Sequence, residues 1–371
     1  MTMSLPAGFP EQLKGPMAWD GSDFDQDPEA YTLTLTEGDL LGIRTAVSYF
    51  KSLGLPRGSV DRSNFPLPED LGTKLRQIND TLNNGRGFQV VRGIDPTSHS
   101  EEEHILIFAG ICAHVATHRN WFIDHLRHEK QHDVPGVNLR PPELPVSMDF
   151  HTDVDSGPIL ALFVEKKSKS GGNQHLSSFW TIYNSLAREA PEVIGELASS
   201  WHWEKPDKEN IDGPNIVMPS RPIIGKADGK MQINYAKAYL AGHLKYPMNV
   251  TSPSLSPPQE AALKILADTA RRHRLQLDTK EGDLVLVNNL SIMHAREAFV
   301  DDEVSGEVRH ILRLWLQDQE SWSVASTLGY LEPEKAWHVA DEHQSLRTLS
   351  EWVQLPRATR AVDSATTDKH D

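Results

Sequence analysis

Apolar and polar positions fall into two textures along the chain. Up to about residue 116 the pattern is helical. Thr36 to Phe50 reads as a capped amphipathic helix and Leu67 to Asn79 as a second; a third runs from about Ser100 to Ala116. Between the last two lies Gly87-Phe-Gln-Val-Val-Arg-Gly93, a short β-rich run closed by glycine. From about Pro145 the texture changes to short apolar runs punctuated by glycine and proline: Val146 to Phe150, Ile159 to Val164, Met231 to Tyr235, Asp283 to Asn288 and Arg309 to Leu316. That spacing predicts a β-sandwich or barrel. Two helical stretches interrupt it, Phe179 to Ser200 and Pro257 to Leu275, the second with a proline-led start.

The predicted class is therefore α+β with a mainly β core. Residues 1–30, rich in proline, glycine and aspartate, read as an extended N-terminal arm; 31–356 as a single domain with its β core at about 145–320; and 357–371 as a flexible tail, with both ends loose. No internal repeat or low-complexity segment is present.

Charge and composition narrow the partners. A formal net charge of -15 and a pI of about 5.6 repel a phosphate backbone or an anionic membrane, so nucleic acid and membrane are excluded as expected partners. A single cysteine, Cys112, rules out an intramolecular disulfide and sits among apolar neighbours, as an inert buried thiol would. The longest apolar stretch, about Ile105 to Ala116, is too short to span a bilayer, and the N-terminus has no signal-peptide pattern. A cytoplasmic location and a small-molecule substrate are expected. Oligomeric state has no legible signature, and a homo-oligomer is compatible with everything above.

Candidate chemistry begins at Phe150-His151-Thr152-Asp153, where strand alternation points His151 and Asp153 the same way. With 17 histidines, a His-x-Asp pair arises by chance on the order of once, so the pair needs company. His294 supplies it, because the turn and buried run Glu281 to Asn289 deliver it toward the same end of a barrel. Two imidazoles and a carboxylate make the facial metal site that leaves coordination positions open. Downstream, Arg309 and Arg313 lie on one face of an apolar strand and Leu312 and Leu314 on the other. A guanidinium turned into a barrel needs an anion, and a dicarboxylate suits its fork; the bland alternative is an edge strand with arginines paired to surface acids. A rival cluster, Asp124-His125-Leu-Arg-His128 continuing to His132-Asp133, reads as a solvated charged helix or loop rather than a zinc site. His118, Asn120 and Trp121 are candidates for a substrate pocket, as is Asp155, while Arg296 and Glu297 are candidates for orienting His294. Trp180, Trp201, Trp203 and Trp315 read as core.

Taken in order, His151-Thr-Asp153, Gly171-Gly172-Asn173-Gln174, Asn288 to Glu297 and Arg309-His-Ile-Leu-Arg313 resemble the TauD/TfdA family of Fe(II)/2-oxoglutarate dioxygenases, particularly its fungal branch, over roughly Gly85 to Asp318. The resemblance implies a double-stranded β-helix, or jelly roll, with helices packed outside and a long insertion. It implies Fe(II) held by His151, Asp153 and His294, with 2-oxoglutarate and O2 as co-substrates. Arg309 would grip the distal carboxylate of 2-oxoglutarate, and Arg313 would contact either that molecule or the substrate. Gln174 departs from the family, which often has threonine there. The implied reaction oxidises an unactivated C–H bond of a small carboxylated or amino-acid-derived metabolite of secondary metabolism, by hydroxylation, desaturation or ring closure, with release of succinate and CO2. A jelly-roll metalloenzyme that uses no 2-oxoglutarate, or a non-catalytic binding domain on the same fold, remains the alternative.

Overall fold

Side-chain caps set where several helices begin. In the computed structural model, which describes residues 5–120, 122–128, 141–154, 156–207, 213–243, 247–329 and 346–355, Thr36, Ser100 and Ser256 each accept the backbone N–H three residues on. The side chain at that third position (Asp39, Glu103, Gln259) returns the bond. In chain order the first half runs β1 (Thr32–Thr34), α1 (Glu37–Ser52), α2 (Glu69–Asn84), β2 (Phe88–Arg92), α3 (Glu101–Val115), β3 (His118–Arg119), β4 (Asp124–Arg127), β5 (Met148–His151), β6 (Ile159–Lys166), β7 (Ser170–Gly171) and β8 (Gln174–Ser178). The second half runs α4 (Phe179–Glu189), α5 (Pro191–Leu197), β9 (Trp201–Lys205), β10 (Ile216–Arg221), β11 (Ile224–Ala227), β12 (Lys230–Ile233), α6 (Ala238–Ala241), α7 (Pro257–Arg272), β13 (Leu275–Gln276), β14 (Leu284–Asn288), β15 (Ile292–Arg296), β16 (Phe299–Val300), β17 (His310–Gln317) and α8 (Leu349–Gln354). The single helix expected over Phe179 to Ser200 is two, because Pro191 excludes Ala190 from the helical region.

Two sheets face each other. The larger has seven strands in the order β1-β2-β14-β6-β17-β3, with β4 also paired to β17, and the smaller has the order β13-β8-β15-β5. Phe88, Leu160 and Val287 from the first interdigitate with Leu176 and Ile292 from the second. Outside the larger sheet, Phe163, Leu286, Leu312 and Leu314 pack against Leu75, Ile105 and Phe108 of α2 and α3. Outside the smaller sheet, Phe150, Met293 and Ala295 pack against Phe179 and Ile182 of α4 and Leu263 and Leu266 of α7. Period-two alternation thus assigns each residue of a strand either to a helical layer or to the space between the sheets.

Two expectations fail here. The N-terminal arm is not loose, and it turns at Gly21–Asp23 and Pro28–Tyr31: Leu13, Met17 and Trp19 are buried, Asn184 brackets Leu13 with hydrogen bonds to its N–H and carbonyl, and Thr181 and Ser178 bond the carbonyls of Trp19 and Met17. His273 closes the arm, with Nδ1 2.5 Å from Asp20 and Nε2 2.9 Å from Ser185. His273→Ala is expected to lower stability by about 1–2 kcal/mol and to expose the Asp20 region to protease, measured by urea denaturation and limited proteolysis. Burial raises the Asp20 carboxyl, but His273 and Ser22 outweigh it and hold it below its ordinary value. This contribution is therefore present at neutral pH and lost as pH falls through the folded value.

The segment from Asp124 to His128 is the second failure. It is not a solvated helix but strand β4 and its continuation, with Asp124 and His125 buried against β17 and His128 buried beyond the strand end. His132, Asp133, Trp121, Asp155 and the tail 357–371 lie outside the described residues. Cys112 is fully buried, and burial pushes its thiol pKa up, as an inert thiol requires. No helix among the described residues is long and apolar enough to cross a membrane.

Candidate active site

β5 and β15 run antiparallel, with His151 directly opposite His294, so both imidazoles leave the same face as cross-strand neighbours. Their ring centroids are 4.2 Å apart. Asp153 Oδ1 lies 3.9 Å from His151 Nε2 and 3.7 Å from His294 Nε2, too far for hydrogen bonds, and the three donor atoms all lie within 4.8 Å of one another. Three half-buried polar groups that converge without bonding each other fit a shared cation. His151 Nδ1 donates to the Asp149 carbonyl at 2.8 Å, which leaves the Nε2 lone pair for the ion.

Asp153 is held from both ends. Its N–H donates to Asn289 Oδ1 at 2.8 Å and its carbonyl accepts from Asn289 Nδ2 at 2.9 Å, so one carboxamide fixes the backbone of the loop beyond β5. Oδ2 accepts from Trp315 Nε1 at 2.9 Å and from Arg313 at 3.3 Å, and Arg313 is itself paired to Asp124 at 2.6 Å. Oδ1 alone is left facing the histidines. Burial by itself would raise this carboxyl, but Arg313, the two histidines and the Trp315 bond hold it below its usual range. Burial, and then the neighbouring His151, push His294 down to about 3, and burial lowers His151 as well. Two neutral imidazoles with one ionised carboxylate form the donor set a divalent transition metal takes.

A second feature lies along the same inner face. Arg296, two residues past His294, and Gln174, its cross-strand partner, follow the histidine into the space between the sheets. Arg309 joins them: its guanidinium is buried, stands 5.4 Å from the Phe299 ring and has no hydrogen bond or ion pair among the described residues. Burial, and then repulsion from Arg296, push it down to about 9. Gln174 is a buried residue whose amide makes no hydrogen bond among the described residues. Gly171 and Gly172, both at positive φ near +70°, let the chain pass this point, for a Cβ on Gly171 would lie 2.2 Å from the Ala298 carbonyl oxygen.

Other sequence candidates fall elsewhere. Asn120 accepts from Trp315 N and donates to the Phe122 carbonyl, so it supports Trp315. His118 is exposed on the sheet-edge strand β3, bonded to Thr117. Neither Arg296 nor Glu297 bonds His294, whose Nδ1 has no partner among the described residues; Arg296 donates to the Leu144 and Val146 carbonyls, and Glu297, on the opposite face, bonds Asn173 and His175. Arg313 is committed to two carboxylates. Sequence patterning missed Trp315, which alternation from Arg313 places on the inner face, and the part of Asn289, for which no sequence signal exists.

Comparison with known proteins shows the family. The family model described as "Taurine catabolism dioxygenase TauD, TfdA family" matches residues 51–315. A taurine hydroxylase-like protein, SAT17, of Stachybotrys chartarum is 32% identical over 336 residues, covering 86% of this chain and 83% of its own. FR-33289 synthase of Streptomyces rubellomurinus is 25% identical over 327 residues, covering 85% and 94%. Among solved structures, asparagine oxygenase in complex with Fe(II), 3-hydroxyasparagine and succinate superposes with a TM-score of 0.59 at 13% identity, covering 77% of this chain and 93% of its own. The non-haem iron oxygenase OrfP with iron and α-ketoglutaric acid gives 0.56 at 14%, covering 78% and 94%, so the fold is shared with both. The matched stretch contains His151, Asp153, His294, Arg309, Arg313 and Trp315, and the chain belongs to the TauD/TfdA family of iron(II)- and 2-oxoglutarate-dependent dioxygenases.

Proposed function

We propose that this dioxygenase oxidises an unactivated C–H bond of a small carboxylated or amino-acid-derived metabolite in the cytoplasm, releasing succinate and CO2. His151, Asp153 and His294 hold the iron, and Arg309 with Gln174 holds the distal carboxylate of 2-oxoglutarate inside a double-stranded β-helix. The observation that carries this reading is the buried Arg309 side chain, whose guanidinium makes no hydrogen bond or ion pair among the described residues; the nearby Asp301 carboxylate, which accepts the Arg309 backbone N–H, offsets burial only in part, and a ligand carboxylate would supply the close partner. Spacing agrees with it. Arg296 and its cross-strand neighbour Gln174 mark a level one i,i+2 step, about 7 Å, beyond His294, which suits a five-carbon dicarboxylate anchored at both ends.

Bound iron with its co-substrate supplies the oxidising power, and the protein supplies placement and shelter. Arg313 and Trp315 hold Asp153 Oδ2 so that Oδ1 keeps its direction; Arg313 is assigned to that carboxylate and not to substrate. The Asp149 carbonyl fixes the His151 tautomer. The hydroxylated amino acids bound in the asparagine oxygenase and OrfP complexes support the substrate class.

Anaerobic addition of Fe(II) and 2-oxoglutarate is expected to give the visible charge-transfer band of the chelate in the wild type and none in His151→Ala. Folded wild-type protein without the band defeats this reading and favours a metalloenzyme that does not use 2-oxoglutarate, or a binding domain. Succinate release profiled over amino acids, sulfonates and aryloxyacids is expected to respond to amino acids; a response to sulfonates alone overturns the substrate class.

A further inference from the structure

The outer face of β4, β6 and β17 carries buried titratable groups that the chemistry above leaves unused. Glu165 is at their centre, one carboxylate oxygen 2.7 Å from His104 Nδ1 and the other 2.8 Å from His310 Nδ1. His104 Nε2 continues to the Pro96 carbonyl at 2.7 Å, His310 Nε2 meets His125 Nδ1 at 2.9 Å, and His125 Nε2 continues to the Arg347 carbonyl at 2.9 Å. The three imidazoles are only 7%, 3% and 1% exposed in the order His104, His310, His125. One unbroken chain thus ties α3, β6, β17, β4 and the segment before α8 together.

Proton counting gives this chain a definite charge. Carbonyls only accept, so His104 and His125 must donate outward from Nε2. The chain has five contacts and each needs a proton, whereas three neutral imidazoles and an ionised carboxylate supply three. The filled chain holds two more and is net +1. With fewer, two lone pairs face each other inside the protein. The groups packed around it are His99, with its ring 6.3 Å from His104, and Glu101 from α3; Phe163 from β6; Asp124 from β4; and Trp352 of α8, whose ring lies 5.4 Å from that of His125. Burial lowers His104, but the Glu165 bond and charge outweigh it and raise it above its ordinary value. Burial, and then His310, push His125 down to about 3.

Each histidine on these strands is the neighbour of an inner-face residue: His310 follows Arg309, and His125 follows Asp124, the partner of Arg313. We propose that Glu165 is a positioning residue for the reaction, its proton-loaded chain holding β17 from behind so that Arg309, next to His310, stands where the co-substrate requires it. This rests on the reading of Arg309 as the distal-carboxylate clamp. Because His104 is raised, its contact is complete below its ordinary value and is lost as pH rises through the folded value. Co-substrate affinity therefore falls on the alkaline side through groups that never touch it.

The test pairs ¹⁵N-histidine spectra of the iron-free protein with anaerobic 2-oxoglutarate titrations from pH 6.5 to 9.5. At pH 7 the wild type is expected to show two of these imidazoles with both nitrogens protonated, and its 2-oxoglutarate affinity is expected to fall about tenfold over their alkaline titration, the scale of one charge-assisted hydrogen bond. In Glu165→Gln the amide donates to a neutral His104, so the charged His104 signal and the alkaline step disappear while iron affinity is kept. Should that variant not fold, His104→Asn removes the same step. Three neutral imidazoles in the wild type at pH 7 overturn the proposal. So does a wild-type pH profile in Glu165→Gln alongside an impaired Arg309→Met. Wild-type affinity in Arg309→Met instead defeats the clamp reading on which the proposal stands.

Discussion

Asp153→Asn is expected to fold, to retain no stoichiometric iron(II) after anaerobic loading and desalting, and to lose at least roughly 10³-fold in succinate release, because several kcal/mol of metal-ligand stabilisation goes with the charge. The asparagine keeps the size of the side chain and an acceptor oxygen for Trp315 Nε1. It also keeps the backbone bonds to Asn289, which do not involve the side chain. What it removes is the negative charge that Arg313 and two half-buried imidazoles converge on. Asp153→Ala is the harsher version, since it strands Trp315 Nε1 without an acceptor and leaves Arg313 with Asp124 alone. Iron content by ferrozine and the charge-transfer band of the chelate are read in the same samples. Full iron occupancy with an unchanged band in the asparagine variant would show that the ion lies elsewhere.

The metal site was legible because strand periodicity is a local property. The two-residue spacing of His151 and Asp153 suggests a shared face, although β5 ends at His151 and Asn289 holds Asp153 in the loop beyond it, and the buried run before His294 announces a strand that leads to it. β17 was legible for the same reason: Leu312 and Leu314 join the helical layer, and Arg313 turns the other way. What was not legible depends on partners distant in the chain. The charges of Asp124 to His128 look solvated in sequence, yet Asp124 pairs with Arg313 and His125 with His310, 189 and 185 residues away. Asn120 and Asn289 are polar residues whose amides serve the backbone of other segments, and nothing in composition separates that use from ligand contact. The N-terminal arm reads as loose because proline and glycine suppress any period, although Met17 and Trp19 fill a slot in the inter-sheet core.

Arg309→Met is expected to raise the dissociation constant for 2-oxoglutarate by about 10²–10³-fold, the range for truncating one partner of a buried charge pair, with iron affinity unchanged. The separation follows from the geometry. Arg309 makes no contact with Asp153, whose charge partner is Arg313, so the metal triad keeps its support when Arg309 is shortened. The loss belongs to the distal carboxylate, and a co-substrate without that group reveals it. The wild type is expected to discriminate strongly between 2-oxoglutarate and 2-oxovalerate, which has a methyl group in place of the distal carboxylate, and Arg309→Met to discriminate weakly, because methionine and the methyl end are compatible in a site that has lost its guanidinium. Arg309→Lys keeps a charge but not the fork, and should fall between the two. Arg296 gives the residual preference a source: it stays in place on the same face, 4.7 Å from the Phe299 ring, and acts on the site at a distance. Equal discrimination by the wild type and Arg309→Met in anaerobic titrations would place the carboxylate somewhere other than at Arg309, whatever happened to turnover.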